Sequence, residues 1–211
     1  MKFYDAHTHS TSSVTDLRNV IFGWDEPHDG EFCTVVAHPL FYEKTEGFYE
    51  ALRSMCNDNA VLAVGECGMD KRSPLSLPEQ VEVFMTHVKV SEELKKPLVI
   101  HCVGHFNELS NIYREASPSQ MWVIHGFRKN PILASQLASQ GFYFSMGIEG
   151  VRREGLLGVI PLEHLLFETD ETADITIEDV YREAASVLGM DIEDLARVVE
   201  DNFFKIFHRS I

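Results

Sequence analysis

The amino-acid sequence predicts one α/β domain, residues 1–211, that folds as a shortened TIM-type (β/α)₈ barrel. Short apolar segments alternate with helix-like stretches, and the apolar segments number eight. The predicted strands are residues 2–7, 19–23, 33–38, 60–66, 97–102, 121–125, 142–146 and 164–168. The predicted helices are residues 43–57, 78–96, 107–116, 130–140, 176–188 and 191–207. Repeated alternation of this kind is typical of parallel strands joined by helical crossovers.

The length of the chain, 211 residues, is short for this fold, which usually needs about 250 residues. The shortage falls early in the chain. Residues 8–18 separate the first two predicted strands, residues 24–32 separate the next two, and neither segment can hold a full crossover helix. We therefore expect one or two early helices to be missing. The alternative architecture is an open, doubly wound sheet.

Composition restricts the partners and the compartment of the protein. The chain has 18 Lys and Arg against 33 Asp and Glu, a formal charge of −15. We expect no stable complex with duplex DNA, because such complexes depend on basic side chains that neutralise phosphates. No apolar run approaches ~18 residues, so we expect no membrane partner. The four cysteines show no CxxC spacing and no signal-peptide pattern is present, which predicts a cytoplasmic protein.

Residues of the types that bind metals follow the apolar segments. The side chains of His7 and His9 are two positions apart and share one face of a strand. Four further residues end or follow the later predicted strands: Glu66, His101, His125 and Asp170. Any one of them alone is more often a hydrogen-bonded loop residue or a solvated one. Their coincidence at five strand ends predicts a metal site, because the carboxyl ends of barrel strands meet on one face.

The donor set predicts two divalent ions. We expect the first ion to be held by His7, His9, Glu66 and Asp170, and the second by Glu66, His101 and His125. Glu66 is thereby shared by both ions, and Asp170 is the candidate general base. Glu168 and Asp5 are candidates for orienting the ligands. Imidazole favours zinc and carboxylate favours magnesium or manganese, so the set is compatible with Mg, Mn or Zn.

Several segments resemble the motifs of TatD-type metal-dependent hydrolases, a family often described as deoxyribonucleases. The matching segments are Tyr4-Asp5-Ala6-His7-Thr8-His9, Ala37-His38-Pro39, residues 64–70, residues 97–101, residues 124–127, residues 166–170 and residues 201–207. They occur in the family order along the whole chain. The resemblance implies a TIM-type barrel, a two-metal centre and hydrolysis of phosphodiester or related ester bonds. The implied substrate is a small phosphate ester or the end of a nucleic acid.

Three segments depart from the family pattern. Val103 stands where the family has an Arg after His101, so one expected phosphate contact is missing. Residues 126–129 read Gly-Phe-Arg-Lys in place of Cys-Phe-Ser-Gly, and Glu171-Thr172 replaces the usual Ala-Pro. The resemblance therefore implies the metal chemistry more firmly than it implies cleavage of DNA.

Basic residues in pairs predict where an anionic substrate is bound. Three adjacent pairs follow predicted strands and so fall on the face of the metal site: Lys71-Arg72, Arg128-Lys129 and Arg152-Arg153. We expect Arg128, Lys129, Arg152 and Arg153 to form a positive rim that attracts the substrate despite the net charge. His38 and Asp70 are further candidates for substrate contact. Paired basic residues in loops are also common as plain solvated surface.

Three functions remain open from the sequence. The first is a phosphoesterase or nuclease that uses metal-activated water. The second is a C–N or C–O hydrolase of the amidohydrolase or lactonase type, many of which bridge their metals with a modified Lys on the fourth strand. The chain has Glu66 there, which favours the first function. The third is a metal-binding protein without turnover, which the intact ligand set disfavours.

Overall fold

The computed structural model describes residues 1–10, 15–28, 30–42, 46–172 and 174–207. Within these residues the strands are β1 Asp5–Thr8, β2 Asp16–Ile21, β3 Phe32–Val36, β4 Val61–Asp70, β5 Leu98–Val103, β6 Trp122–Ile124, β7 Tyr143–Met146 and β8 Leu165–Phe167. The helices are α1 Phe48–Cys56, α2 Leu77–Leu94, α3 Phe106–Ala116, α4 Pro131–Gln140, α5 Ile148–Val151, α6 Ile177–Leu188 and α7 Ile192–Phe207. Two single 3₁₀ turns, Leu157–Val159 and Leu162–His164, precede β8.

The order of the strands confirms the predicted (β/α)₈ class. The eight strands found in the described residues follow one another in the sheet in chain order, and the recorded pairings are parallel. The alternative of a doubly wound sheet is wrong, because such a sheet reverses its strand order at a switch point. The described residues between β1 and β2, and between β2 and β3, contain no helix, in line with the short early connections in the sequence.

Contacts between Cα atoms group the chain into two compact units. The first unit comprises residues 1–18 and 123–211, and the second comprises residues 19–122. The prediction of one domain over residues 1–211 is not decided by this grouping and stays a prediction. None of the described helices has the length and apolarity that crossing a membrane requires. All four cysteines lie in the described residues, where they are buried and form no disulfide bond.

The first unit anchors β1 against its carboxy-terminal helices. The ring of Tyr4 packs on Phe203 of α7 with centroids 4.8 Å apart. The hydroxyl of Tyr181 in α6 donates to the carbonyl oxygen of Tyr4 at 3.0 Å, and its ring lies 4.8 Å from that of Phe167 in β8. Burying each such ring stabilises the fold by about 1.5–3 kcal/mol. The ends of β1 and β8 are therefore fixed by packing on the same two helices.

The second unit is organised by α2, which packs on β4. The helix begins where its sequence predicts a start, because Pro78 lies in the first turn and the carboxylate of Glu79 accepts a hydrogen bond from the backbone N–H of Ser76 at 2.8 Å. Its Phe84 is fully buried and meets the edge of Trp122 at a centroid distance of 5.3 Å. This packing fixes the face of α2 that lies over the strands.

Strand β4 is longer than predicted. The predicted end at Glu66 is wrong, because the strand continues to Asp70. Its register against β5 shifts between Gly65 and Cys67. Gly65 has a φ of +145°, and a Cβ at that position would lie 2.1 Å from the carbonyl oxygen of Val99, so only glycine fits. The irregular strand keeps two carboxylates, at positions 66 and 70, inside the sheet.

One histidine of α2 is part of the buried framework. Both nitrogens of His87 are paired: Nε2 accepts from the backbone N–H of Ala37 at 3.1 Å, and Nδ1 lies 2.8 Å from the carbonyl oxygen of Val83. Burial lowers the pKa of His87 to about 4. The folded protein therefore holds a neutral imidazole at pH values where an unfolded chain would protonate it.

We predict that His87 makes folding stability fall as the pH drops. Because the folded pKa lies below the unfolded value of about 6.5, the unfolded state alone takes up the proton between pH 6.5 and 4. The free energy of unfolding of the wild type, measured with urea, should fall by about 2 kcal/mol between pH 7 and pH 5 because of this residue. In the variant His87→Gln, the fall over the same interval should be smaller by about 2 kcal/mol. The exposed His28→Gln is the control and should keep the wild-type pH dependence; equal slopes for all three proteins would contradict the assignment.

Candidate metal centre

Four ligand-type side chains of the first unit meet at the ends of β1, β6 and β8, and we call them the His7 cluster: His7, His9, His125 and Asp170. Single ligand atoms of His7, His125 and Asp170 lie within 4.8 Å of one another. Asp170 Oδ1 is 3.6 Å from His7 Nε2 and 3.5 Å from His9 Nε2. The rings of His7 and His125 have centroids 4.3 Å apart. Three imidazoles around one carboxylate make a donor set that fits a divalent ion.

Backbone hydrogen bonds fix Asp170 against the histidine pair. The N–H of Asp170 donates to the carbonyl oxygen of His7 at 2.9 Å, and the N–H of His9 donates to the carbonyl oxygen of Asp170 at 3.3 Å. Asp170 has a φ of +54°, a left-handed conformation that Asp tolerates better than most residues. The cluster geometry is therefore set by the main chain as well as by side-chain packing.

Asp5, the first residue of β1, is buried and pairs with the backbone of β1 and of the segment that follows β8. Its carboxylate accepts hydrogen bonds from the N–H of His7 at 3.2 Å, the N–H of Thr169 at 3.1 Å and the hydroxyl of Thr169 at 2.6 Å. Burial raises the pKa of Asp5 to about 7, and these hydrogen bonds oppose the rise. Asp5 thus contacts the main chain of the segments that carry His7 and Asp170 rather than an imidazole nitrogen.

Glu168 pairs with the backbone next to His125, as Asp5 does next to His7 and Asp170. Its Oε1 accepts a hydrogen bond from the N–H of Gly126 at 2.7 Å and lies 3.6 Å from His125 Nδ1. A carboxylate next to the second ring nitrogen of a ligand histidine is a common way to orient that ring. The geometry supports the predicted orienting roles of Asp5 and Glu168, which stay predictions.

The second unit contains another group, His38, Glu66 and His101, which we call the Glu66 cluster. Its ligand atoms also lie within 4.8 Å of one another. Glu66 Oε1 is 2.7 Å from His101 Nδ1 and 3.3 Å from His38 Nε2. Glu66 and His101 lie inside β4 and β5, so the expectation that each ends its strand is wrong. His125 does follow the last residue of β6, as expected.

Asn19 and Thr34 orient the carboxylate of Glu66, and neither was predicted from the sequence. The amide nitrogen of Asn19 donates to Glu66 Oε2 at 3.0 Å, and the amide oxygen of Asn19 accepts from the backbone N–H of Glu66 at 3.2 Å. The hydroxyl of Thr34 donates to the same amide oxygen at 2.8 Å. Asn19 lies in β2 and Thr34 lies in β3. Thr34 interrupts the apolar run of β3, which is a signal visible in the sequence, whereas Asn19 follows Arg18 and gives no such signal.

Asp70 is fully buried and orients His101. Its Oδ2 lies 2.8 Å from His101 Nε2, and Arg72 Nη2 pairs with the same oxygen at 2.5 Å. Burial opposes ionisation of Asp70, but the hydrogen bonds from Arg72 and His101 outweigh it and hold the pKa of that carboxyl well below its usual value. The ionised Asp70 accepts a hydrogen bond from Nε2–H of His101, which leaves Nδ1 as the nitrogen of this ring that could bind an ion beside Glu66. This geometry supports a positioning role for Asp70, and its predicted contact with substrate stays a prediction.

His38 has a fixed tautomer in the Glu66 cluster. Its Nδ1 accepts a hydrogen bond from the N–H of Leu40 at 3.2 Å. A neutral ring therefore carries its proton on Nε2, the atom that faces Glu66. His38 is arranged to donate a hydrogen bond to Glu66 or to a bound anion, which supports its predicted contact with substrate.

Two arginines of the predicted positive rim, Arg128 and Arg152, are paired with acidic side chains. Three of the arginines at the basic pairs form ion pairs: Arg72–Asp70, Arg128–Glu149 and Arg152–Glu183. Arg152 also lies at the carboxyl end of α5 rather than directly after β7. Each ion pair reduces the positive charge offered to a ligand. Substrate contacts by Arg128, Lys129, Arg152 and Arg153 stay predictions.

Comparison with known proteins identifies a family and relatives of this chain. Residues 4–208 match the sequence model of the family described as TatD related DNase. The uncharacterized metal-dependent hydrolase YcfH of Escherichia coli K12 is 32% identical over 221 residues, which cover 96% of this chain and 79% of that protein. The 3′-5′ ssDNA/RNA exonuclease TatD of Cronobacter sakazakii is 31% identical over 131 residues, covering 56% of this chain and 48% of that protein.

Solved structures share the fold. The TatD homologue YjjV of Escherichia coli K12 superposes with a TM-score of 0.75 at 17% identity, over 85% of this chain and 77% of that one. A lactonase of the PTE-like type from Deinococcus radiodurans gives a TM-score of 0.57 at 11% identity, over 90% and 78% of the two chains. At these identities the likeness concerns the fold alone. By its sequence match, the chain belongs to the TatD related DNase family and is a metal-dependent hydrolase.

Proposed function

We propose that the protein hydrolyses phosphate ester bonds with two divalent ions, one held at the His7 cluster and one at the Glu66 cluster. The observation that carries the proposal is the donor chemistry of two groups: ligand atoms of His7, His125 and Asp170 lie within 4.8 Å of one another, and so do those of His38, Glu66 and His101. Bound divalent ions would lower the pKa of a water molecule and neutralise the charge of a phosphate. The sharing of Glu66 by both ions and the placing of His125 with the ion at His101 stay predictions.

Asp170 is proposed as the general base. Its side chain is 41% exposed, whereas that of its neighbour His7 is fully buried. A carboxylate that reaches solvent can take a proton from the attacking water, while the backbone pairing described above keeps it beside His7 and His9. Asp5 and Glu168 hold the segments on either side and keep Asp170 and His125 in place.

The proposed substrate is the single-stranded end of a nucleic acid or a small phosphate ester. The relative from Cronobacter sakazakii is named an exonuclease of single-stranded DNA and RNA. The net charge of −15 and the ion pairs at Arg128 and Arg152 disfavour stable binding of a duplex. Many lactonases and amidohydrolases bridge their metals with a modified Lys on the fourth strand. This chain has Glu66 on β4, which disfavours that alternative.

We predict about two divalent ions per chain after reconstitution with Mn²⁺ or Zn²⁺, as two-metal chemistry requires. His101→Ala and His125→Ala should each lower the content to about one ion, because each removes an imidazole from a cluster. Elemental analysis of the desalted proteins measures this. His28→Ala, outside both clusters, is the control; a wild type without bound metal, or a His101→Ala variant with undiminished content, would contradict the site assignment.

Replacement of Asp170 by Asn keeps the shape of the side chain and removes its basicity. We expect kcat to fall about 10²- to 10⁴-fold, the usual contribution of general acid–base catalysis, with an unchanged circular dichroism spectrum. The assay is a panel of phosphate esters, single-stranded oligonucleotides and lactones with added Mg²⁺, Mn²⁺ or Zn²⁺. Asp174→Asn, an exposed carboxylate nearby in the chain, should retain full activity. Full activity of Asp170→Asn, or turnover of lactones alone, would overturn the proposal.

Asp70→Asn tests the orienting carboxylate separately from the ligands. The amide can no longer hold the Nε2 proton of His101 as an anion does, and loss of such a partner typically weakens metal affinity about 10- to 100-fold. In a calorimetric titration of Mn²⁺, we expect one binding step to weaken and the other to stay unchanged. Two unchanged steps would mean that Asp70 acts only in the fold.

A further inference from the structure

The described part of the chain leaves two large aromatic side chains in solvent, and they contact each other. Trp24 is 66% exposed and Phe41 is 44% exposed. Their ring centroids are 4.9 Å apart at an interplanar angle of 37°. The other large apolar side chains that are exposed there are aliphatic. Adjacent exposed rings indicate a binding surface, whereas single exposed apolar residues are ordinary.

The exposed pair continues to the Glu66 cluster. Phe41 stacks on the ring of His38 with centroids 5.0 Å apart and an interplanar angle of 29°. His38 Nε2 in turn lies 3.3 Å from Glu66 Oε1. Trp24, Phe41 and His38 therefore form a row of three rings, here called the aromatic platform, that runs from solvent to a carboxylate of the candidate metal centre.

A small open cavity lies along the aromatic platform. Its volume is about 240 Å³, and its walls include Phe22, Gly23 and Tyr42. This is below the ~300–1,000 Å³ of pockets that enclose drug-sized ligands, so it suits one planar ring system better than a paired duplex end. Phe22 and Tyr42 both pack on Phe48 of α1, with ring centroids 5.6 Å and 4.9 Å from it.

Short-range hydrogen bonds hold the platform in place. The N–H of Trp24 donates to the carbonyl oxygen of Ile21 at 3.0 Å, directly after β2. The N–H of Phe41 donates to the carbonyl oxygen of His38 at 3.0 Å, so the two stacked rings belong to one turn. The platform is therefore formed before any ligand arrives, and a ligand need not order it.

We propose that the aromatic platform stacks a nucleobase of the substrate whose phosphate is held at the Glu66 cluster. The inference rests on the proposed function and specifies its substrate as single-stranded nucleotide. Stacking on an aromatic side chain needs an uncovered base, which a single strand offers, and tolerates any base sequence. It also needs no positive charge, which suits a chain of net charge −15 whose arginines at positions 128 and 152 are ion-paired.

The two tryptophans of the chain give a direct test that does not depend on turnover. Trp122 is fully buried, whereas Trp24 is exposed, so a ligand on the platform changes the emission of Trp24 alone. Deoxyadenosine monophosphate and deoxyribose 5-phosphate carry the same phosphate and differ in the base. We expect saturable quenching by the nucleotide, with and without added Mn²⁺, and none by the sugar phosphate in the same concentration range.

Variants separate stacking from simple apolar contact. Phe41→Leu keeps apolar bulk and loses the aromatic face, so its affinity for the nucleotide should fall roughly 5-fold or more, the effect of losing one stacked ring. Trp24→Phe keeps an aromatic face and should retain binding in calorimetry while losing the fluorescence response. Ile132→Ala, at a 73% exposed residue of α4, is the control and should bind as the wild type does.

The outcomes distinguish the platform from the proposed hydrolysis. Equal quenching by nucleotide and sugar phosphate, or wild-type affinity of Phe41→Leu, would overturn stacking whatever the enzyme hydrolyses. Quenching by vesicles or apolar peptides with none by the nucleotide would also overturn it. Base-dependent quenching that Phe41→Leu weakens would support the platform, even if the wild type turned over no phosphate ester and the proposed function failed.

Discussion

The burial of the Glu66 carboxylate is the constraint on which the Glu66 cluster depends. An ionised group removed from water is costly unless hydrogen bonds and opposite charge replace the lost hydration. The amide nitrogen of Asn19 donates to Glu66 Oε2 at 3.0 Å, and the protonated Nε2 of His38 lies 3.3 Å from Glu66 Oε1. His101 in turn pairs with the buried carboxylate of Asp70, and the exposed side chain of Arg72 partly neutralises the negative charge of that carboxylate. A divalent ion placed beside Glu66 would meet a carboxylate and an imidazole that are already oriented.

In the His7 cluster, backbone hydrogen bonds hold the carboxylate-bearing residue in place. Asp170 is exposed enough to stay hydrated, and its main chain pairs with that of His7 and His9. The buried carboxylate nearby is Asp5, whose pKa of about 7 reflects its removal from water. The two clusters thus differ in how they are held: the Glu66 cluster relies on side-chain hydrogen bonds, and the His7 cluster relies on backbone hydrogen bonds between β1 and the segment that follows β8.

The sequence predicted what periodicity and residue type can reveal. Apolar runs located all eight strands, and short connections revealed the missing early helices, because both are local properties of the chain. The reach of β4 to Asp70 was missed, since paired backbone within a polar stretch leaves no hydrophobic pattern. Asn19 and Thr34 were missed because their partner is distant in sequence. The ion pairs that occupy Arg128 and Arg152 depend on the position of Glu149 and Glu183 in space.

The central claim is that two separate groups of side chains each hold a divalent ion. Diffraction from crystals grown with Mn²⁺, measured where its anomalous signal is strong, tests this most directly. We expect one anomalous peak bonded to His7 and Asp170, and another bonded to Glu66 and to Nδ1 of His101. Peaks confined to exposed carboxylates, or a metal bonded to His101 through Nε2 with Asp70 as its ligand, would contradict it.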